Sequence, residues 1–83
     1  MNRLKARVTV TLKNGILDPQ GKAIEGALTS LNISGIESVR QGKVFDIEMN
    51  AANAQVAEAQ IKAACEKLLA NTVIENYAVE IVA

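Results

Sequence analysis

Histidine and tryptophan are missing from the 83 residues, and cysteine, proline, phenylalanine and tyrosine occur once each, as Cys65, Pro19, Phe45 and Tyr77. Each shortage excludes something. Without histidine there is no Ser-His-Asp or Cys-His nucleophile, no ordinary zinc site and no general base with an unperturbed pKa near neutrality. One cysteine cannot close an internal disulfide, and it fits a reducing compartment, where Cys65 serves as a small buried apolar residue. Nine basic residues balance nine acidic ones, so the net positive field that a nucleic-acid surface needs is absent. No apolar run approaches the roughly 18 to 20 residues of a membrane span. The opening Met1-Asn2-Arg3-Leu4-Lys5 lacks the apolar stretch of a secretory signal. The expectation is a soluble, cytoplasmic chain that binds neither nucleic acid nor membrane.

What is present is small. Hydrophobic residues make up 49% of the chain, but thirteen of them are alanine. One domain over residues 1–83 is expected, and a chain of this length buries only about 60 to 65% of the surface that its unfolded form exposes. With neither a metal nor a disulfide to staple so thin a core, self-association, as a dimer or a tetramer, is the expected support.

Along the chain the apolar periodicity changes several times. Leu4, Ala6, Val8, Val10 and Leu12 alternate with Arg3, Lys5, Arg7, Thr9, Thr11 and Lys13, the pattern of a half-buried strand. Asn14-Gly15 is turn material. Asp18-Pro19 then provides an N-cap carboxylate and a proline at the first helical position. Ile24, Ala27, Leu28 and Leu31 give that helix one apolar face, which Asn32 to Gly35 end. Ile36–Gln41 reads as a second strand, Gly42 as a turn, and Lys43–Met49 as a third strand with Phe45, Ile47 and Met49 inward. Asn50 or Asn53 caps a second helix whose stripe is Val56, Ala57, Ile61, Ala64, Cys65 and Leu68, with Asn71 placed as a left-handed C-cap. Tyr77, Val79 and Ile81 mark a final strand.

This order gives an α+β fold of ferredoxin-like βαββαβ type, a four-stranded antiparallel sheet with two helices on one face. Right-handed crossovers put strand one beside strand three, with strands four and two at the edges. Residues 1–22 carry five basic groups and one acidic, and residues 44–83 carry two basic and six acidic. Folding sets the two halves against each other across the ladder.

No GxGxxG, P-loop, CxxC or paired carboxylates on one helix face occur, so no catalytic residue and no metal or cofactor ligand is expected. Leu17-Asp18-Pro19-Gln20-Gly21 is the most unusual stretch, because helix capping accounts for Asp18 and Pro19 but not for Gln20 or Gly21. Together with Cys65-Glu66-Lys67-Leu68-Leu69-Ala70-Asn71-Thr72-Val73-Ile74-Glu75-Asn76-Tyr77 and with Gly42-Lys43, it resembles the PurS family, the small subunits of phosphoribosylformylglycinamidine synthase. Where that family often has proline after the asparagine, this chain has Thr72.

The resemblance implies a non-catalytic subunit of a complex in purine biosynthesis, bridging a PurL-like synthetase and a PurQ-like glutaminase and assisting ammonia transfer between them. ATP, Mg and glutamine would be used by the complex and not bound by this chain. It further implies partner contacts at Asp18, Gln20, Gly21, Gly42, Lys43, Asn71 and Tyr77. The competing reading is a free-standing ACT-like regulatory module that binds a small metabolite at a dimer interface, its ligand met by the backbone of Asn14-Gly15.

Overall fold

The computed structural model describes residues 2–82. The uninterrupted alternation of the first segment produces β1 (Asn2–Leu12), with Ala6, Val8 and Val10 buried on one side. It is the centre of a three-stranded antiparallel sheet. β2 (Gly42–Ala51) lies along one side and β3 (Glu75–Ile81) along the other. The register places Val8 opposite both Phe45 and Val79, and Ala6 opposite both Ile47 and Ile81, so the apolar positions of all three strands share one face.

That face is covered by α2 (Ala54–Ala64). Asn53 caps the helix, its side-chain oxygen accepting the Val56 amide at 2.9 Å, so the cap is Asn53 and not Asn50, which lies within β2. Ala57, Ile61 and Cys65 are buried against the sheet. The helix then widens into a π-helical turn, Cys65–Leu69. A wider turn rotates the residues after it off the 3.6-residue stripe. Leu68 is consequently 82% exposed although the helical spacing expected it inside, and Ala70 is buried instead.

The opposite face of the sheet carries the charges. Lys5 sits across from Glu48, and Arg7 across from both Asp46 and Glu80. Arg3 bonds Glu48 at 2.7 Å and Arg7 bonds Asp46 at 2.8 Å. The expected compensation of the basic and acidic halves is thus realised side by side. Both pairs are largely exposed, so each contributes only about 0 to 1 kcal/mol.

The structure departs from the expected four strands at residues 36–41, which pair with no strand. The reason is competition for backbone donors. The Val39 amide goes to Glu25 Oε2 at 2.8 Å and the Gln41 amide to Asp18 Oδ2 at 2.6 Å, which leaves neither N–H for a ladder. Gly42 is likewise no turn. It is the first residue of β2, opposite Thr11, and a Cβ there would meet the Val10 carbonyl oxygen at 2.5 Å. Glycine serves close approach between strands at this point.

A second departure concerns α1 (Pro19–Ser30), expected to share the covered face with α2. Its start and stop follow the sequence: Asp18 caps it, Pro19 opens it, and Asn32 at φ 62° ends it, with the Ile33 amide bonded back to the Leu28 carbonyl at 3.0 Å. This is a Schellman-type stop. The helix does not lie on the sheet, however. Gly21 is its only buried residue, while Ile24 is 38% exposed and the neighbouring Leu31 68%. The molecule is correspondingly long, 52 × 25 × 15 Å with a radius of gyration of 16.4 Å. A compact chain of this length would have about 12 Å.

Candidate interaction site

Four segments converge at the end of the sheet where β1 finishes: the start of α1, the strap of residues 33–41, the start of β2 and the start of β3. Asp18 organises the first three. Its carboxylate is buried, with Oδ1 accepting the Gly21 amide at 2.9 Å and Oδ2 accepting the Gln41 amide at 2.6 Å. Those two amides, the Gln41 one foremost, hold its pKa below the usual carboxylate value, and the nearby Arg40 guanidinium acts the same way. Gly21 is explained by the strap, since any Cβ there would run into the Val39 carbonyl oxygen. Helix capping alone gave no reason for it.

Between these segments lies an open cleft with a volume of about 370 Å³. Val10 and Leu12 of β1 are joined in its wall by Asp18, Gln20, Gln41, Lys43 and Glu75. Four of the seven expected contact residues, Asp18, Gln20, Gly42 and Lys43, therefore line one recess, with Gly21 directly behind it. Asn71 joins them through Glu75. Its amide donates to Glu75 Oε1 at 2.7 Å, and Glu75 Oε2 lies 3.9 Å from Lys43 Nζ.

Asn71 is not the left-handed cap that the sequence suggested, because Ala70 ends the π-helical turn in extended conformation and Asn71 has no positive φ. It makes an Asx turn instead. Its side-chain oxygen accepts the Val73 amide at 3.2 Å, and its carbonyl accepts the Ile74 and Glu75 amides. Such turns hold a loop with local bonds alone.

Tyr77 stands in a neighbouring recess with Lys13, Glu66, Thr72, Glu75 and Asn76. Its hydroxyl donates to Glu66 Oε2 at 2.6 Å. That bond, with burial and the negative charge of Glu66 adding to it, pushes the tyrosine pKa up to about 12. The π-helical turn presents Glu66 to this ring, a structural consequence that no apolar period in the sequence signals.

Four residues of the site went unrecognised at the level of sequence: Glu25, Arg40, Gln41 and Glu75. Glu25 was findable in principle, since it follows Asp18 by seven residues and so shares its side of the helix. Arg40 donates to the Leu12 and Lys13 carbonyls at 3.3 and 3.1 Å, tying the strap to the end of β1. Glu75 lies inside the distinctive second stretch, from which only Asn71 and Tyr77 were expected at the contact surface.

Chemically, the arrangement spends its ionisable groups on holding segments together. Among the described residues no group of three or more carboxylates or cysteines could hold a metal ion, and the Asp18 and Glu75 carboxylates are committed to backbone amides. This donor set does not suit Mg. Burial pushes the Cys65 thiol up, away from the thiolate form in which a cysteine is nucleophilic. No described helix is long and apolar enough to cross a membrane.

By class, then, this is a small α+β domain with a carboxylate-braced cleft at one end of its sheet. The family model for PurS, phosphoribosylformylglycinamidine (FGAM) synthase, matches residues 5–83. The phosphoribosylformylglycinamidine synthase subunit PurS of Bacillus subtilis is 42% identical over 77 residues, covering 93% of this chain and 90% of that one. The subunit of the same name from Mycobacterium leprae is 47% identical over 75 residues, covering 90% and 91%. The solved structure of PurLQS from Thermotoga maritima contains a chain that superposes with a TM-score of 0.91 at 33% identity, over 99% of this chain and 100% of that one. The chain belongs to the PurS family.

Proposed function

We propose that this chain works as the small subunit of phosphoribosylformylglycinamidine synthase in purine biosynthesis, seated between a PurL-type synthetase and a PurQ-type glutaminase. The observation that carries the reading is the likeness, over nearly the whole of both chains, to a component of the PurLQS structure from Thermotoga maritima. Being an accessory subunit, it leaves ATP, Mg and glutamine to its partners and assists ammonia in passing between them, in the cytoplasm. Its contact surface for those partners is the cleft of Asp18, Gln20, Gly42 and Lys43, with Gly21 behind it and with Asn71 and Tyr77 beside it. Residues 1–83 act as one domain.

The ACT-like alternative has less support. The match to the PurS family model over residues 5–83 and the full-length likeness to a PurLQS component favour the first reading, and no comparable likeness supports the second. Self-association, as a dimer or tetramer, belongs to the proposal. It is supported by the exposed apolar side of α1, by the two unpaired sheet edges of β2 and β3, and by the radius of gyration. Sedimentation at micromolar concentration checks it, and a monomer there overturns it.

The test of function is co-purification of the tagged chain with PurL-type and PurQ-type subunits in glutamine and ADP. Both subunits should be retained, and glutamine-dependent turnover should require the chain. Glutamine-dependent turnover by the two large subunits alone would overturn the proposal. Q20E and K43E should weaken retention, and unchanged retention in both would remove the cleft from the contact surface.

A further inference from the structure

The nine-residue strap 33–41, which connects a helix to a strand, is fastened to the molecule in an unusual way. It contributes no buried side chain; from Ile33 to Arg40 only Val39 is even partly buried, and Ile33 and Ile36 are 47% and 50% exposed. Apolar burial therefore does little to keep it in place. What holds it are hydrogen bonds to two carboxylates on α1. Glu25 Oε2 accepts the Val39 amide at 2.8 Å, and Asp18 Oδ2 accepts the Gln41 amide at 2.6 Å.

Between these two points the strap passes over Gly21, which has no side chain to obstruct the Val39 carbonyl. Neither carboxylate bond involves a side chain of the strap. A third tether, Arg40 to the Leu12 and Lys13 carbonyls, is the strap's own. The charged neighbours are few. Lys22 lies 3.5 Å from Glu25 Oε1, the oxygen that does not hold the strap, and Arg40 acts on Asp18.

We infer that Asp18 and Glu25 form a two-point latch whose opening frees the strap from α1 as a local unit, without melting the sheet. Segments held by few bonds and little apolar area open at much lower free energy than a core does. The sheet core of Ala6, Val8, Val10, Ile61 and Cys65 shares no residue with the latch. Opening also loosens a wall of the cleft, since Gln41 lines it and loses its bond to Asp18. Access to the cleft is thereby set by two carboxylates, one of them buried beside it, and any group that competes for those carboxylates opens it.

Trypsin reads the latch directly, because Arg40 sits within the strap and Lys62 within α2. With the full chain, cleavage after Arg40 should be about ten-fold faster in E25A, which has no acceptor for the Val39 amide, and faster again in D18A/E25A, while cleavage after Lys62 keeps its wild-type rate. E25A leaves the Asp18 cap untouched, so the measurement does not depend on a variant that weakens the start of α1. An Arg40 site cut at the wild-type rate in both variants overturns the latch. Equal acceleration at Arg40 and Lys62 also overturns it, because the effect would then be global unfolding.

Discussion

The Asp18 carboxylate and the Gln41 amide, 23 residues apart, meet at 2.6 Å and thereby fix where the helix begins and where the second strand begins. The same carboxylate accepts the Gly21 amide at 2.9 Å. Both bonds need the ionised acid, which is why its pKa lies below the ordinary 3.8. The sign of the consequence is fixed. A carboxylate whose folded pKa is depressed contributes stability that is present above its unfolded value and is lost as pH falls through the folded value. Thermal midpoints measured from neutral pH downward should therefore fall more steeply below 3.8 in the wild-type chain than in Asp18→Asn, which has no proton to take up. The Gln41 amide resonance, followed through the same range, should titrate in the wild type only.

Gly21 and Gly26 lie one and a half turns apart on α1 and respond in opposite directions to the same substitution. Around Gly26 nothing lies within 4 Å of an added Cβ. Gly26→Ala should stabilise the chain by about 0.5 to 1 kcal/mol, the helix-propensity difference between the two residues. Gly21→Ala gains the same propensity but drives a methyl group into the Val39 carbonyl and the Asp18 carboxylate, so the net effect should be a loss. Chemical denaturation of the two variants against wild type decides it, and two values of the same sign would contradict the geometry.

Periodicity and capping chemistry made most of the fold legible. The alternation from Leu4 to Leu12, the Asp18-Pro19 start and the Ile61 to Cys65 spacing each depend on residues close in sequence, where period and propensity apply. What failed was settled by partners far along the chain. Ile36–Gln41 has the composition of a strand, yet Asp18 and Glu25 take its amides. Gly42 has the composition of a turn, yet β1 lies too close for any other residue. Leu68 was misplaced because a π-helical turn leaves no mark in an apolar stripe. The site divides in the same way: the distinctive stretches exposed Asp18, Gln20 and Asn71, whereas Glu25, Gln41 and Glu75 became visible only once the segments had been brought together.

Tyr77 offers a clean spectroscopic test, because it is the chain's only tyrosine. Its bond to Glu66, with burial and the negative charge of Glu66 adding to it, raises the pKa to about 12 from an ordinary 10.0. The ultraviolet signal of the phenolate should develop near that raised value in the wild type and return toward 10.0 in Glu66→Gln. For stability the direction is opposite to that of Asp18. The raised folded value means that the contribution is complete below the unfolded pKa and is lost as pH rises through the folded one. The alkaline decline in thermal midpoint should thus be shallower in Tyr77→Phe.

Glu75 joins three parts of the site at once, since it opens β3, accepts the Asn71 amide at 2.7 Å and faces Lys43 at 3.9 Å. The two interactions differ in strength. The first is a short charge-assisted bond that closes the loop after the π-helical turn, and the second is a long pair with a largely exposed lysine, which contributes little. Glu75→Gln keeps an acceptor for Asn71 and discards only the pairing with Lys43, so its stability should stay close to wild type. Glu75→Ala removes both and should cost about 1 kcal/mol. Urea midpoints separate the cases, and amide exchange at Asn71 locates the effect, with faster exchange expected in the alanine variant alone. Equal losses in the two variants would mean that the Lys43 pair, and not the loop bond, is what Glu75 contributes.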